Sequence, residues 1–126
     1  MHAVDTNVLV RLIARDDDAQ VEAAEAFVAA GAWISHLALA ETVWVLHSVY
    51  GRDREDVIAS IERLLDHQHL VVSEPDVVRA ALSRYRGRRT VSFSDCLLLE
   101  IARRAGHLPL GTFDRDLAKL DGAERL

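Results

Sequence analysis

Four carboxylates stand in surroundings that should otherwise be apolar. Asp5 follows Ala3-Val4, Glu41 lies inside Leu37-Ala38-Leu39-Ala40-Glu41-Thr42-Val43-Trp44-Val45-Leu46, and Asp95 falls in Ser92-Phe93-Ser94-Asp95-Cys96-Leu97-Leu98-Leu99. Asp114 follows Leu110-Gly111-Thr112-Phe113. An ionised carboxylate in an apolar helix is costly unless a cation meets it. Four of them crowded together could not all ionise, because neighbouring like charges raise one another's pKa. A divalent cation removes that conflict. Oxygen-only ligands select a hard ion, so Mg²⁺ or Mn²⁺ is expected rather than zinc. Carboxylate-held Mg²⁺ suits phosphoryl chemistry, since it acidifies a bound water and steadies charge on a phosphodiester.

Each acid also has a plainer reading. Asp5 could cap a helix that starts near Asn7, and Glu41 could snorkel or pair with an arginine. Asp95 is the third position of a capping box begun by Ser92, and Asp114 could cap a short final helix. Only the combination separates these readings. Two of the acids lie just past strand ends, and two lie in early turns of helices that follow strands. In a parallel sheet such positions share one edge, where ligands bind.

The elements that must position them follow from period and punctuation. Helices are expected over Ala19–Ala30, Leu37–Tyr50, Asp53–Asp66, Asp76–Arg86 and Asp95–Ala105, with Gly31, Gly51, Gly87 and Gly106 placed to stop them in the left-handed conformation. Val21, Ala24, Phe27 and Val28 form one apolar face. The runs Ala3-Val4, Ala32-Trp33-Ile34, Leu70-Val71-Val72 and Leu108-Pro109-Leu110 have the length of buried strands. Short unalternating runs separated by helices indicate a parallel sheet covered on both faces. The expected architecture is a three-layer α/β/α sandwich with a mainly parallel central sheet of four to five strands.

Composition agrees with one globular domain over residues 1–126: half the residues are apolar and 28% are charged. The net charge of −5 gives the chain as a whole no attraction for nucleic acid. Its bases are fourteen arginines and a single lysine, Lys119. The lone Cys96 fits a reducing compartment. No apolar run has the length of a membrane span, and the acid at position 5 argues against a secretory leader, so a cytoplasmic protein is expected.

The ordered segments Val4-Asp5-Thr6-Asn7-Val8-Leu9-Val10-Arg11, Glu41 before Trp44-Val45-Leu46, Ser94-Asp95-Cys96-Leu97-Leu98 and Gly111-Thr112-Phe113-Asp114-Arg115-Asp116-Leu117 resemble the PIN-domain ribonucleases. The likeness is greatest to VapC-type toxins of bacterial toxin–antitoxin pairs, and it covers the whole chain. It implies an Mg²⁺-dependent endoribonuclease (Mn²⁺ as the alternative ion), silenced by a VapB-type antitoxin and assembled as a homodimer. On that resemblance Asp5, Glu41, Asp95 and Asp114 are the metal-binding and catalytic acids that hold a metal-activated water. Thr112 and Asp116 are supporting groups, and Asn7 supports the metal acids from behind. The position of Ser92 is often acidic in relatives, so that additional acid is absent here. A catalytically silent PIN-like module that binds RNA or protein is the alternative.

The densest basic stretch, Arg84-Tyr85-Arg86-Gly87-Arg88-Arg89, runs toward Asp95 and offers Arg86, Arg88 and Arg89 to RNA phosphates. A helix C-terminus complemented by bases is its plainer reading. Asp66-His67-Gln68-His69 has the residue types of a metal site, but its spacing fits a solvated turn better. Apolar surface on the first two helices could exceed what a small sheet covers and leave a groove for a partner helix. A phosphoacceptor of the receiver or haloacid-dehalogenase kind also needs an Asp after the first strand. It requires a lysine at a late strand end, however, where this chain has none.

Overall fold

Every helix but one begins where a short side chain can accept the first unpaired backbone N–H groups. The computed structural model describes residues 1–126. Its elements run β1 (His2–Ala3), α1 (Thr6–Ala14), α2 (Asp18–Val28), β2 (Ala32–Ile34), α3 (His36–Ser48), α4 (Arg54–Asp66) and β3 (Leu70–Val72). They continue with α5 (Pro75–Gly87), α6 (Phe93–Ala105), β4 (Leu110–Thr112), a 3₁₀ turn at Leu117–Lys119 and β5 (Ala123–Arg125). Asp5, Asp17, Ser35, Asp53 and Ser92 are the N-caps of α1, α2, α3, α4 and α6, each accepting from the N–H three residues on. The fifth helix opens instead on Pro75, whose missing N–H is no loss in a first turn. None of these helices is long and apolar enough to cross a membrane.

The chain forms two compact units, Met1–Pro75 and Asp76–Leu126. In the first, β1, β2 and β3 pair in that order and in parallel, with Ala3 opposite Trp33 and Trp33 opposite Val71. Leu9, Ile34, Leu39, Leu46, Ile58 and Ile61 are fully buried. The middle residues of β2 and β3 are less covered than strands buried on both faces would be: Trp33 is 40% and Val71 47% exposed. Phe27, expected on the buried face of α2, is 44% exposed, whereas Val21, Ala24 and Val28 are buried as their spacing indicates.

In the second unit β4 and β5 pair in parallel, Leu110 opposite Ala123 and Thr112 opposite Arg125. The expected strand at Leu108-Pro109-Leu110 begins two residues later. Pro109 has no N–H for a ladder, so pairing starts where the Leu110 N–H donates to Gly122 O at 2.8 Å. The fifth strand, Ala-Glu-Arg, has no apolar period to announce it. Gly31, Gly51 and Gly106 take positive φ as expected, but Gly87 does not and stays in the last turn of α5. Tyr85, within the basic stretch, is buried edge-on against Phe93, with ring centroids 5.8 Å apart. It is a core residue and not a platform for a ligand.

Arg103 organises this unit. Its Nε donates to the Oε2 of buried Glu100 at 3.2 Å and its Nη2 to Asp121 O at 2.6 Å. Gly122, at φ +96°, takes a left-handed conformation that favours glycine, and a Cβ there would stand 2.9 Å from that guanidinium and make it shift. Replacing Arg103 by Ala strands the Glu100 carboxylate and should lower stability by about 2–4 kcal/mol in urea unfolding. The double replacement Glu100→Leu with Arg103→Met should recover most of that loss, because no charge is then left buried without a partner.

Candidate functional site

Parallel pairing delivers the chain to the C-terminal ends of β1 and β2, and in the first unit two of the candidate acids lie just beyond those ends. Asp5 stands between β1 and α1 in extended backbone, and its Oδ1 accepts from Val8 N at 3.1 Å. Glu41 lies in the second turn of α3. The next residue after Asp5 ties the two elements together: Thr6 Oγ1 donates to Glu41 Oε2 at 2.8 Å. The sequence expectation that Glu41 is buried is corrected here. It is exposed, on the side of α3 opposite buried Thr42 and Val43, and neither an arginine nor a lysine meets it. The helix is apolar nearly all round because Leu37 and Trp44, which share the exposed face with Glu41, are themselves 70% and 65% exposed.

A hydrogen-bonded triad braces the α1 end of this arrangement. Arg11 Nη1 donates to Asp16 Oδ1 at 2.6 Å and to Tyr50 Oη at 3.0 Å, while the Tyr50 hydroxyl donates to Asp16 Oδ2 at 2.8 Å. The Tyr50 hydroxyl, followed by the guanidinium, holds the Asp16 carboxyl below its ordinary value. Asp16 is thus a structural acid joining α1 to Tyr50, two residues beyond the end of α3.

In the second unit Asp95 occupies the first turn of α6, where its backbone N–H donates to Ser92 Oγ at 3.2 Å. The capping box is only half made, since no hydrogen bond or ion pair engages the half-buried Asp95 carboxylate. Asp114 is used more heavily. Its Oδ1 accepts from Asp116 N at 2.8 Å and Leu117 N at 2.9 Å, and its own N–H donates to Thr112 Oγ1 at 2.9 Å. Thr112 therefore supports the Asp114 turn directly, whereas Asp116 faces Lys119, 3.7 Å away. Arg86, Arg88 and Arg89 are exposed at the end of α5 and beyond it. Two histidines are engaged by the backbone: His36 Nε2 bonds Ser73 O at 2.7 Å, and His67 Nδ1 accepts from His69 N at 3.0 Å.

Charge pairing engages some of the acids and leaves others, the four candidates among them, without a cation. Asp16, Glu25, Asp76, Glu100 and Asp121 each meet an arginine. Asp5, Glu41, Asp95 and Asp114 meet no cationic side chain, and each keeps an oxygen that no protein donor occupies. Neither unit by itself gathers three or more His, Cys, Asp or Glu side chains as a metal-binding group. A pair of carboxylates with free oxygens still fits a hard dication, because Mg²⁺ keeps several waters and is held through one or two carboxylates plus substrate phosphate. Sequence reasoning missed Thr6. A hydroxyl next to Asp5 was its only signal, and only the approach of α1 to α3 gives that hydroxyl a partner.

A family model of the PIN domain matches residues 3–123. A solved structure, the Mycobacterium tuberculosis toxin VapC20, which cleaves the sarcin–ricin loop, aligns at 22% identity over 98% of this chain and 98% of that one, with a TM-score of 0.44. Comparison with curated proteins finds no match.

The hydrogen bonds assign different structural weights to the acids. Asp114→Ala should cost about 1 kcal/mol in urea unfolding through loss of its turn. Asp95→Ala should cost less than about 0.5 kcal/mol, since its carboxylate holds nothing in place.

Proposed function

The chain belongs to the PIN-domain family, and on that footing we propose that it is a divalent-metal-dependent endoribonuclease, the toxin of a VapBC-type toxin–antitoxin pair, built as one PIN-like domain over residues 1–126. The observation that carries this reading is that four acids stand in the order of the family's motifs and none of them meets a protein cation. Other acids, such as Glu22, Glu55 and Asp56, also lack an arginine or lysine, so it is the motif order together with the free carboxylate oxygens that marks these four for a cation from outside.

Asp5, Glu41, Asp95 and Asp114 are the catalytic, metal-holding residues in this proposal, with Mg²⁺ as the ion and Mn²⁺ as its substitute. When bound, a divalent ion acidifies water and offsets charge on a phosphodiester. The chain's own groups prepare for this. Asp5 is held by the Val8 N–H, and Glu41 is aimed by the Thr6 hydroxyl, so neither has to be ordered on binding. Thr112 fixes the Asp114 turn, Asp116 lies beside it, and Asn7 lies beside Asp5 on the first turn of α1. Arg86, Arg88 and Arg89 are the phosphate-binding groups that draw RNA to a chain of net negative charge. A VapB-type antitoxin, a homodimeric assembly and a cytoplasmic location complete the proposal, supported by the ordered motifs that resemble VapC toxins.

Cleavage of total RNA with Mg²⁺, with and without EDTA, tests the activity. Asp5→Ala and Asp95→Asn should each abolish cutting while the circular dichroism spectrum stays that of the parent. A folded variant that cuts at the parental rate removes the assignment. A parent that cuts nothing with Mg²⁺ or Mn²⁺ leaves the silent PIN-like module. Replacing Arg86, Arg88 and Arg89 together by Ala should reduce the slope of log binding constant against log salt by about 0.7 for each phosphate no longer neutralised. An unchanged slope excludes them from the RNA interface.

A further inference from the structure

Beside Asp5, entirely within the first unit, is an open pocket of about 370 Å³ lined by Asp5, Asn7, Val8, Arg11, Gln20, Ala23, Ala24 and Phe27. Its chemistry differs from that of the acid site. Val8 and the alanines make an apolar floor, and Phe27 supplies an aromatic wall. This is the phenylalanine that helical periodicity places in the core and that is nevertheless 44% exposed. The His2 ring lies against Phe27 with centroids 5.1 Å apart, which steadies the wall without covering it.

The polar groups of the pocket are two side-chain amides beside the Asp5 carboxylate and the Arg11 guanidinium. Asn7 and Gln20 are both exposed, and no protein group engages either side-chain amide. Arg11 is already committed to Asp16 and Tyr50. With that guanidinium paired to Asp16 and an anionic Asp5 in the lining, the pocket has no spare positive charge to attract a phosphate. What it offers is an apolar lining, one aromatic side chain, and exposed amide donors and acceptors. A planar heterocycle with a hydrogen-bonding edge matches that combination, as in the recognition of unpaired RNA bases by stacking plus edge contacts. A purely aliphatic side chain from a protein partner would fill the floor but leave both amides unsatisfied.

We infer that this pocket seats one unpaired nucleobase of the RNA strand, next to the bond that is cut, with Phe27 as the stacking wall and Gln20 and Asn7 as the edge readers. The inference rests on the ribonuclease reading for its location beside a catalytic acid. It adds a source of sequence preference: the base that fits the amides directs which neighbouring phosphodiester lies over Asp5.

Binding tests the pocket without requiring cleavage. The ¹⁵N-labelled protein in EDTA is titrated with AMP, GMP, CMP and UMP, and with ribose 5-phosphate as the baseless control. The backbone resonances of Gln20, Ala23 and Phe27 should shift saturably with at least one nucleotide and remain still with ribose 5-phosphate. Phe27→Ala and Gln20→Ala should each weaken that binding by about tenfold or somewhat less, in the range expected for loss of base stacking or of an edge hydrogen bond. In the cleavage assay Gln20→Ala should flatten the base preference beside the cut while cutting continues. Equal shifts with ribose 5-phosphate, or none at these residues with any nucleotide, overturn the inference. So does a pocket that ignores nucleotides and answers only to an apolar peptide. A protein that cuts RNA but fails this titration loses the base pocket alone, and one that binds bases but cuts nothing loses the nuclease reading alone.

Discussion

Parallel pairing of very short strands is the constraint on which the other features depend. Strands of two or three residues cannot satisfy or bury themselves, and a parallel neighbour can be reached only through a crossover helix. Each crossover in Met1–Pro75 therefore begins at the C-terminal end of a strand, where a capped helix N-terminus must follow at once. Asp5 and Ser35 are the residues that make those transitions, and α1 and α3 leave from adjacent strand ends. The Thr6–Glu41 hydrogen bond is a consequence of this geometry. Two helices launched from neighbouring parallel strands bring the residue after one cap within reach of the second turn of the other.

A second layer of order is the sorting of charge. The chain is rich in arginine, and several of its acids are spent on it. Asp16 joins α1 to Tyr50, Asp76 joins α5 to Arg104 of α6, and Glu100 joins α6 to the segment before β5 through Arg103. These pairs differ in weight. The exposed ones contribute little, whereas Glu100 is buried and depends on its partner. Asp5, Glu41, Asp95 and Asp114 have no such partners, so the protein's own bases do not compete for the oxygens that the proposed metal would use.

Surface apolarity is sorted as well. Leu37 and Trp44 flank Glu41 on α3, and Phe27 stands over the pocket beside Asp5. Their exposure explains why hydrophobic pattern alone overstated burial around the acids. A helix that is apolar all round reads as buried, yet part of that surface faces outward next to a carboxylate.

The sequence by itself determined the helices, most of the strands and the identity of the candidate acids. Caps, glycine stops and 3.6-residue periodicity are local signals, and the motifs stand in family order along the chain. It also determined that Asp114 would be used by its own backbone, since an Asx turn needs only neighbouring residues. The tertiary structure decided what depends on partners distant in sequence. The exposure of Glu41 and its bond to Thr6, the role of Asp16, the burial of Tyr85, the pairing of Glu100 and the outward turn of Phe27 are all of this kind. So is β5, whose polar residues form a strand only because β4 presents an unpaired edge. A local pattern records which face of an element is apolar, but whether that face is covered, and by which side chain, depends on packing between elements that no stretch of sequence contains.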